Sequence, residues 1–174
     1  MTEIYSNIYY KHNDPKIMEK LDSLFYGSEG NELKIKSIAK SINPKKGELL
    51  AQELIDLVDK PFYDLQAESL NKIEDYSVAH FLHGCMGDEI VKAIVRFIYK
   101  LQPNVHVQAW GCGDDDPWEF WFKFENGKLV RRDDSPSQEE EEEIKERIYK
   151  WWHSDMPDTI KEGYMKEIVR RKRR

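Results

Sequence analysis

Three residues with metal-ligating side chains stand close together in this sequence, His80, His83 and Cys85, and Cys112 follows further on. Zinc takes three or four imidazole or thiolate ligands, so the set is chemically adequate. His-x-x-His brings both rings to one side only in a helix, and Gly84 interrupts a helix there. The competing expectation is a buried segment with satisfied rings and two inert thiols. Zinc binding is therefore a minor alternative, and no cofactor is expected. Asp114-Asp115-Asp116 with Glu119 is rich in oxygen ligands, but calcium loops alternate their ligands around a glycine. These acids are consecutive, which suits a solvated loop. General acid–base chemistry needs a histidine beside a carboxylate. His106, and His153 with Asp155, are the available residues. No Gly-x-Ser-x-Gly, P-loop or dinucleotide fingerprint occurs, so the chain is expected not to be an enzyme. Trp110 and Trp121 fall on the less apolar side of two alternating segments. Either helices near the C-terminus cover them, or they anchor a partner inside a rim of Asp114, Asp115, Asp116 and Glu119.

Charge separates the candidate partners. The 174 residues hold 27 Lys+Arg and 33 Asp+Glu, a net charge of −6. Arg170, Arg171, Lys172, Arg173 and Arg174 close the chain. Without them 22 basic residues face 33 acidic ones, so the first 169 residues carry −11. An acidic body repels phosphates and attracts basic partners. The basic tail does the reverse and is the candidate nucleic-acid contact. Much of the Glu139–Glu143 run is explained as a helix start, where acids complement the macrodipole. Two cysteines do not make a disulfide framework, and no apolar stretch approaches the length of a membrane span. A cytoplasmic protein with no membrane contact is expected.

The elements that position these residues follow from periodicity. Residues 3–12 alternate and predict a strand. Asp14-Pro15 is a helix start, and Ile17, Met18, Leu21, Leu24 and Phe25 recur at helical spacing. Residues 33–42 alternate weakly and fit a strand or an irregular stretch. Residues 48–60 predict a helix halted by Pro61, and residues 62–70 are ambiguous. Residues 84–87 read as a flexible joint, followed by an amphipathic helix over 88–102. Val105, Val107 and Ala109 alternate with His106, Gln108 and Trp110 in a half-buried strand. Trp118, Phe120, Phe122 and Phe124 form the apolar face of the next. Asn126-Gly127 is a hairpin turn, with residues 129–132 returning. Helices are expected over 139–153 and 158–170. The sum is an α+β protein, an antiparallel sheet with helices on one face. Residues 1–132 form the core, and residues 133–174 hold a linker, docked C-terminal helices and the basic tail.

The strand Ile4-Tyr5-Ser6-Asn7-Ile8-Tyr9-Tyr10, the segment Ser41-Ile42-Asn43-Pro44, and the helix-to-hairpin unit of residues 89–130 together resemble the YubB-like ferredoxin-like proteins of phages and plasmids. The resemblance covers residues 3–27 and 85–132. It implies a ferredoxin-like fold and a mobile-element origin, and it carries over no site. The family's Trp-Gly-Thr-Lys-Trp stretch is absent, and Trp110-Gly111-Cys112-Gly113 is its nearest counterpart.

These features converge on a phage or bacterial binding protein of inhibitor or immunity type. Its expected partner is a basic protein, nuclease or nucleic-acid binding, met by carboxylates standing where phosphates would sit. Trp110, Asp114, Asp115, Asp116, Glu119 and Trp121 are the expected contact residues.

Overall fold

The computed structural model describes residues 4–26, 32–58, 65–73, 75–84, 87–113 and 119–134, with the backbone alone at residues 58, 73, 112, 113, 119 and 132–134. The chain divides into two units, Met1–Asp133 and Asp134–Arg174. The described residues all belong to the first unit, except Asp134, the opening residue of the second. The helices expected over 139–153 and 158–170 lie outside them.

Strand β1 (Ile4–Lys11) alternates as its sequence does. Asp14 then caps α1 (Pro15–Phe25), its carboxylate accepting from the Lys16 amide at 2.9 Å. That bond satisfies one of the amides a helix start leaves open, and Pro15 has no amide to lose. Leu21, Leu24 and Phe25 turn inward.

Residues 33–42, expected as a strand or irregular, belong instead to helix α2 (Glu32–Ile42). Ile35 and Ala39 are buried, while Ile38 and Ile42 pack at the core's edge. That is an i, i+3, i+4, i+7 stripe, whereas Leu33, which suggested alternation, is exposed. Helix α3 (Gly47–Val58) follows after a four-residue turn.

Strands β2 (Ser69–Ile73) and β3 (Tyr76–His83) form a hairpin. β3 carries no clear sequence signal, because both of its faces are mostly buried and the apolar–polar alternation is blurred. Helix α4 (Gly87–Leu101) carries eight buried residues along one stripe. It leads into β4 (His106–Gly113), β5 (Glu119–Glu125) and β6 (Lys128–Asp134). Asn126 and Gly127, both at positive φ (51° and 75°), make the β5–β6 turn. That pair of left-handed residues matches strand twist, and Gly meets no steric cost there.

The six strands form one antiparallel sheet in the order β2-β3-β1-β4-β5-β6. The segment α1–α3 connects β1 to β2, and α4 connects β3 to β4. Ile4, Ile8, Tyr10, Ala79, Phe81, Val107, Ala109, Phe120 and Phe122 share one sheet face and one core with the buried residues of α1 to α4. The α+β expectation of an antiparallel sheet with helices packed on one face is met.

Candidate functional site

Register decides which expected site residues meet. Trp110 and Trp121 are direct partners across β4 and β5, with Asn7 of β1 opposite Trp110 on the other side. Strand alternation puts both rings on the sheet face away from the described helices. They are buried, at 4% and 1% exposed. Neither ring is presented to solvent, as in the first of the two alternatives, in which other parts of the chain cover them. Gln108 and Lys123 form the next pair along and are also buried.

The carboxylates of the expected site gather by topology. β4 ends at Gly113, opposite Ile4 of β1, and β5 begins at Glu119 one register step away. The connection between them contains Asp114, Asp115 and Asp116, which lie outside the described residues. β6 runs antiparallel to β5 and ends at the same end of the sheet, with Asp133 and Asp134. β3 also ends there, His83 facing Ile4, and α4 begins four residues on with Asp88 and Glu89. Among the described residues, Asp88-Glu89 at the start of α4, Glu119 at the start of β5 and Asp133-Asp134 at the end of β6 therefore share one end of the sheet. Arg131 of β6 ion-pairs with Asp88 and lies over the Phe120 and Phe122 rings at 5.8 and 5.6 Å. This contact fastens the start of α4 to the aromatic strands. Among the described residues as a whole, 16 basic side chains balance 15 acidic ones. The acidic surplus thus belongs to the connecting and terminal segments, not to the scaffold.

The zinc set does not come together. His80 and His83 stand three apart in β3, a strand where the sequence suggested a helix end, and that spacing sends them to opposite faces. His80 shares a 2.8 Å hydrogen bond with Asn7, and His83 is buried and stacked on Phe81 at 5.5 Å. Cys85 and the Cys112 side chain lie outside the described residues. No group of three or more His, Cys, Asp or Glu suited to a metal ion occurs among the described residues. His106 is exposed at the start of β4, and His153, Asp155 and residues 170–174 lie outside the described region.

A polar network missed at the sequence level lies at the other end of the sheet. Asp22 of α1 accepts from the Tyr10 hydroxyl at 2.9 Å, the Ser77 hydroxyl at 2.6 Å and the Lys72 ammonium at 2.5 Å. Lys72 also donates to Ser77 at 2.5 Å. Burial, then the Asp22 carboxylate, pushes the Tyr10 phenol far up, so it stays a donor. A groove of about 500 Å³ opens beside the network, lined by Glu19, Asp22 and Asp75 with Lys72, His12 and Met18. Ser77 is fully buried and its hydroxyl engaged on both sides, which suits a pin between α1 and the sheet. The four residues are spread from position 10 to 77, and nothing in local sequence connects them.

No family model, curated protein or solved structure matches this chain. None of the helices among the described residues is long and apolar enough to cross a membrane.

Proposed function

We propose that this chain is a non-enzymatic binding protein, of phage or bacterial inhibitor or immunity type, that meets a basic protein partner with the acidic end of its sheet. The observation that carries this reading is the convergence there of the α4 start with Asp88-Glu89, the β5 start with Glu119 and the β6 end with Asp133-Asp134, beside the β4 and β5 ends that the Asp114-Asp115-Asp116 segment joins in sequence. Carboxylates held together on a rigid scaffold raise the local potential and steer cationic partners. A partner that ordinarily grips phosphates would find its basic side chains answered by carboxylates.

The order of the first four strands, with helical crossovers after β1 and β3, supports a ferredoxin-like core extended by the β5–β6 hairpin. That is the fold implied by the resemblance to the YubB-like proteins, and with it a mobile-element origin. The near absence of cysteine fits a cytoplasmic setting. The competing role is nucleic-acid contact through Arg170–Arg174. Chromatography on immobilised double-stranded DNA tests the choice. A chain lacking residues 170–174 is expected to pass through at low salt, repelled by phosphates. Retention that survives the deletion sinks the proposal.

A further inference from the structure

We propose that the α2–α3 hairpin is a self-association surface whose occupant is a second copy of this chain, seated about a two-fold axis parallel to the two helices. Three observations meet on this hairpin. The first is exposed apolar bulk. Of five large hydrophobic side chains exposed among the described residues, three are here: Leu33 at 77%, Leu49 at 63% and Leu57 at 46%. Leu49, Glu53 and Leu57 stand at i, i+4 and i+8, one stripe on α3. Leu33 and Ser37 begin the matching stripe on α2.

The second is charge. α2 carries Lys34, Lys36 and Lys40 against Glu32, a net +2, and α3 carries Glu48, Glu53 and Asp56 with no base, a net −3. Lys40 reaches across to Glu48 at 2.9 Å. The Lys40 hydrogen bond and charge, with Lys36 contributing, hold the Glu48 carboxyl below its ordinary range. Lys36 and Lys40 therefore flank the side of α2 that faces α3.

The third is geometry. Gly47 lets the helices close up, since a Cβ there would sit 2.0 Å from the Ala39 carbonyl oxygen. The two helices therefore lie side by side, close at the turn that joins them.

A partner of uniform charge, such as a nucleic acid or a wholly basic helix, is attracted by one helix and repelled by the other. A second copy avoids this conflict. A two-fold axis lying across the helices would set α2 on α2 and repel. The axis along them sets α2 on the partner's α3, positive on negative, in antiparallel sense. Leu33 then meets the Leu57 end of the opposite α3, and Lys36 meets the Glu53 level, twice per dimer. Helices of 11 and 12 residues give a face of only about 350 Å² per copy, against about 800 Å² in a standard interface. The dimer is accordingly weak and concentration-dependent.

Sedimentation equilibrium of the full chain, up to millimolar concentration, tests this. The expected result is a reversible monomer–dimer equilibrium that weakens as salt rises. Lys36→Glu and Glu53→Lys are each expected to weaken it by about tenfold or more, and the double exchange to restore it to within about threefold. Leu57→Glu should abolish it. All three positions are on the surface, and circular dichroism melts check that each variant folds. A chain that stays monomeric throughout overturns the proposal. So does a dimer indifferent to the single reversals, or one that the double exchange fails to restore.

Discussion

Asp22 shows how much one side chain holds in place. Its carboxylate receives two hydroxyls and an ammonium, and it joins α1 to β1, β2 and β3. Asp22→Ala leaves the buried Tyr10 and Ser77 hydroxyls short of an acceptor, at a cost of about 2 to 3 kcal/mol. A lower urea midpoint with unchanged slope is the measurement that shows it. Tyr9 gives stability a pH dependence. Burial, opposed by a hydrogen bond with Asn7, raises its phenol from 10.0 to about 12. The folded state therefore keeps a proton that the unfolded state gives up first. Its stabilising contribution is complete below pH 10 and falls as pH rises towards 12. Urea midpoints measured from pH 8 to 11.5 should decline above 10, and Tyr9→Phe should make that decline shallower. Tyr10, raised further still, accounts for the part that remains. None of this was legible in the sequence. Tyr9 and Tyr10 are adjacent in the chain and read alike, yet only the fold gives one Asn7 and the other Asp22.

Elements were legible wherever one face is buried and the other wet. α1, α3, α4, β4, β5 and the Asn126-Gly127 turn follow from capping, spacing and turn chemistry near the expected positions. β3 was not legible, because Tyr76, Ser77, Val78 and Ala79 are buried on both faces and leave no alternation to find. α2 reads as a weak strand in sequence because exposed Leu33 mimics a period of two. That leucine and the lysines of α2 acquire meaning only beside α3, whose acids and leucines lie across a turn. The hairpin depends on its close crossing. Gly47→Ala forces a methyl group onto the Ala39 carbonyl and should cost about 1 to 3 kcal/mol. A thermal melt would register this as a lowered midpoint. An unchanged midpoint would show that α2 and α3 can separate freely.

At the scale of the whole molecule, the net charge of −6 proves to be a poor summary. The described scaffold is nearly balanced, and the acidic surplus lies in segments that leave it. Sequence located those acids but could not bring them together. Asp88 and Asp133 are 45 residues apart, and only the antiparallel order β3-β1-β4-β5-β6 carries them to one end. Sequence left Trp110 and Trp121 either covered or open, and both rings are buried. The proposed recognition surface is one of carboxylates, and on that proposal it should bind basic proteins in a salt-dependent manner. The most direct measurement compares what two immobilised forms of the chain capture from a bacterial lysate at low salt, the native sequence and Asp114→Asn/Asp115→Asn/Asp116→Asn. The native chain is expected to retain one or a few basic proteins, released by salt, that the triple variant loses by about tenfold or more. Retention of the same proteins by both forms, or capture of none that are basic, would contradict the assignment.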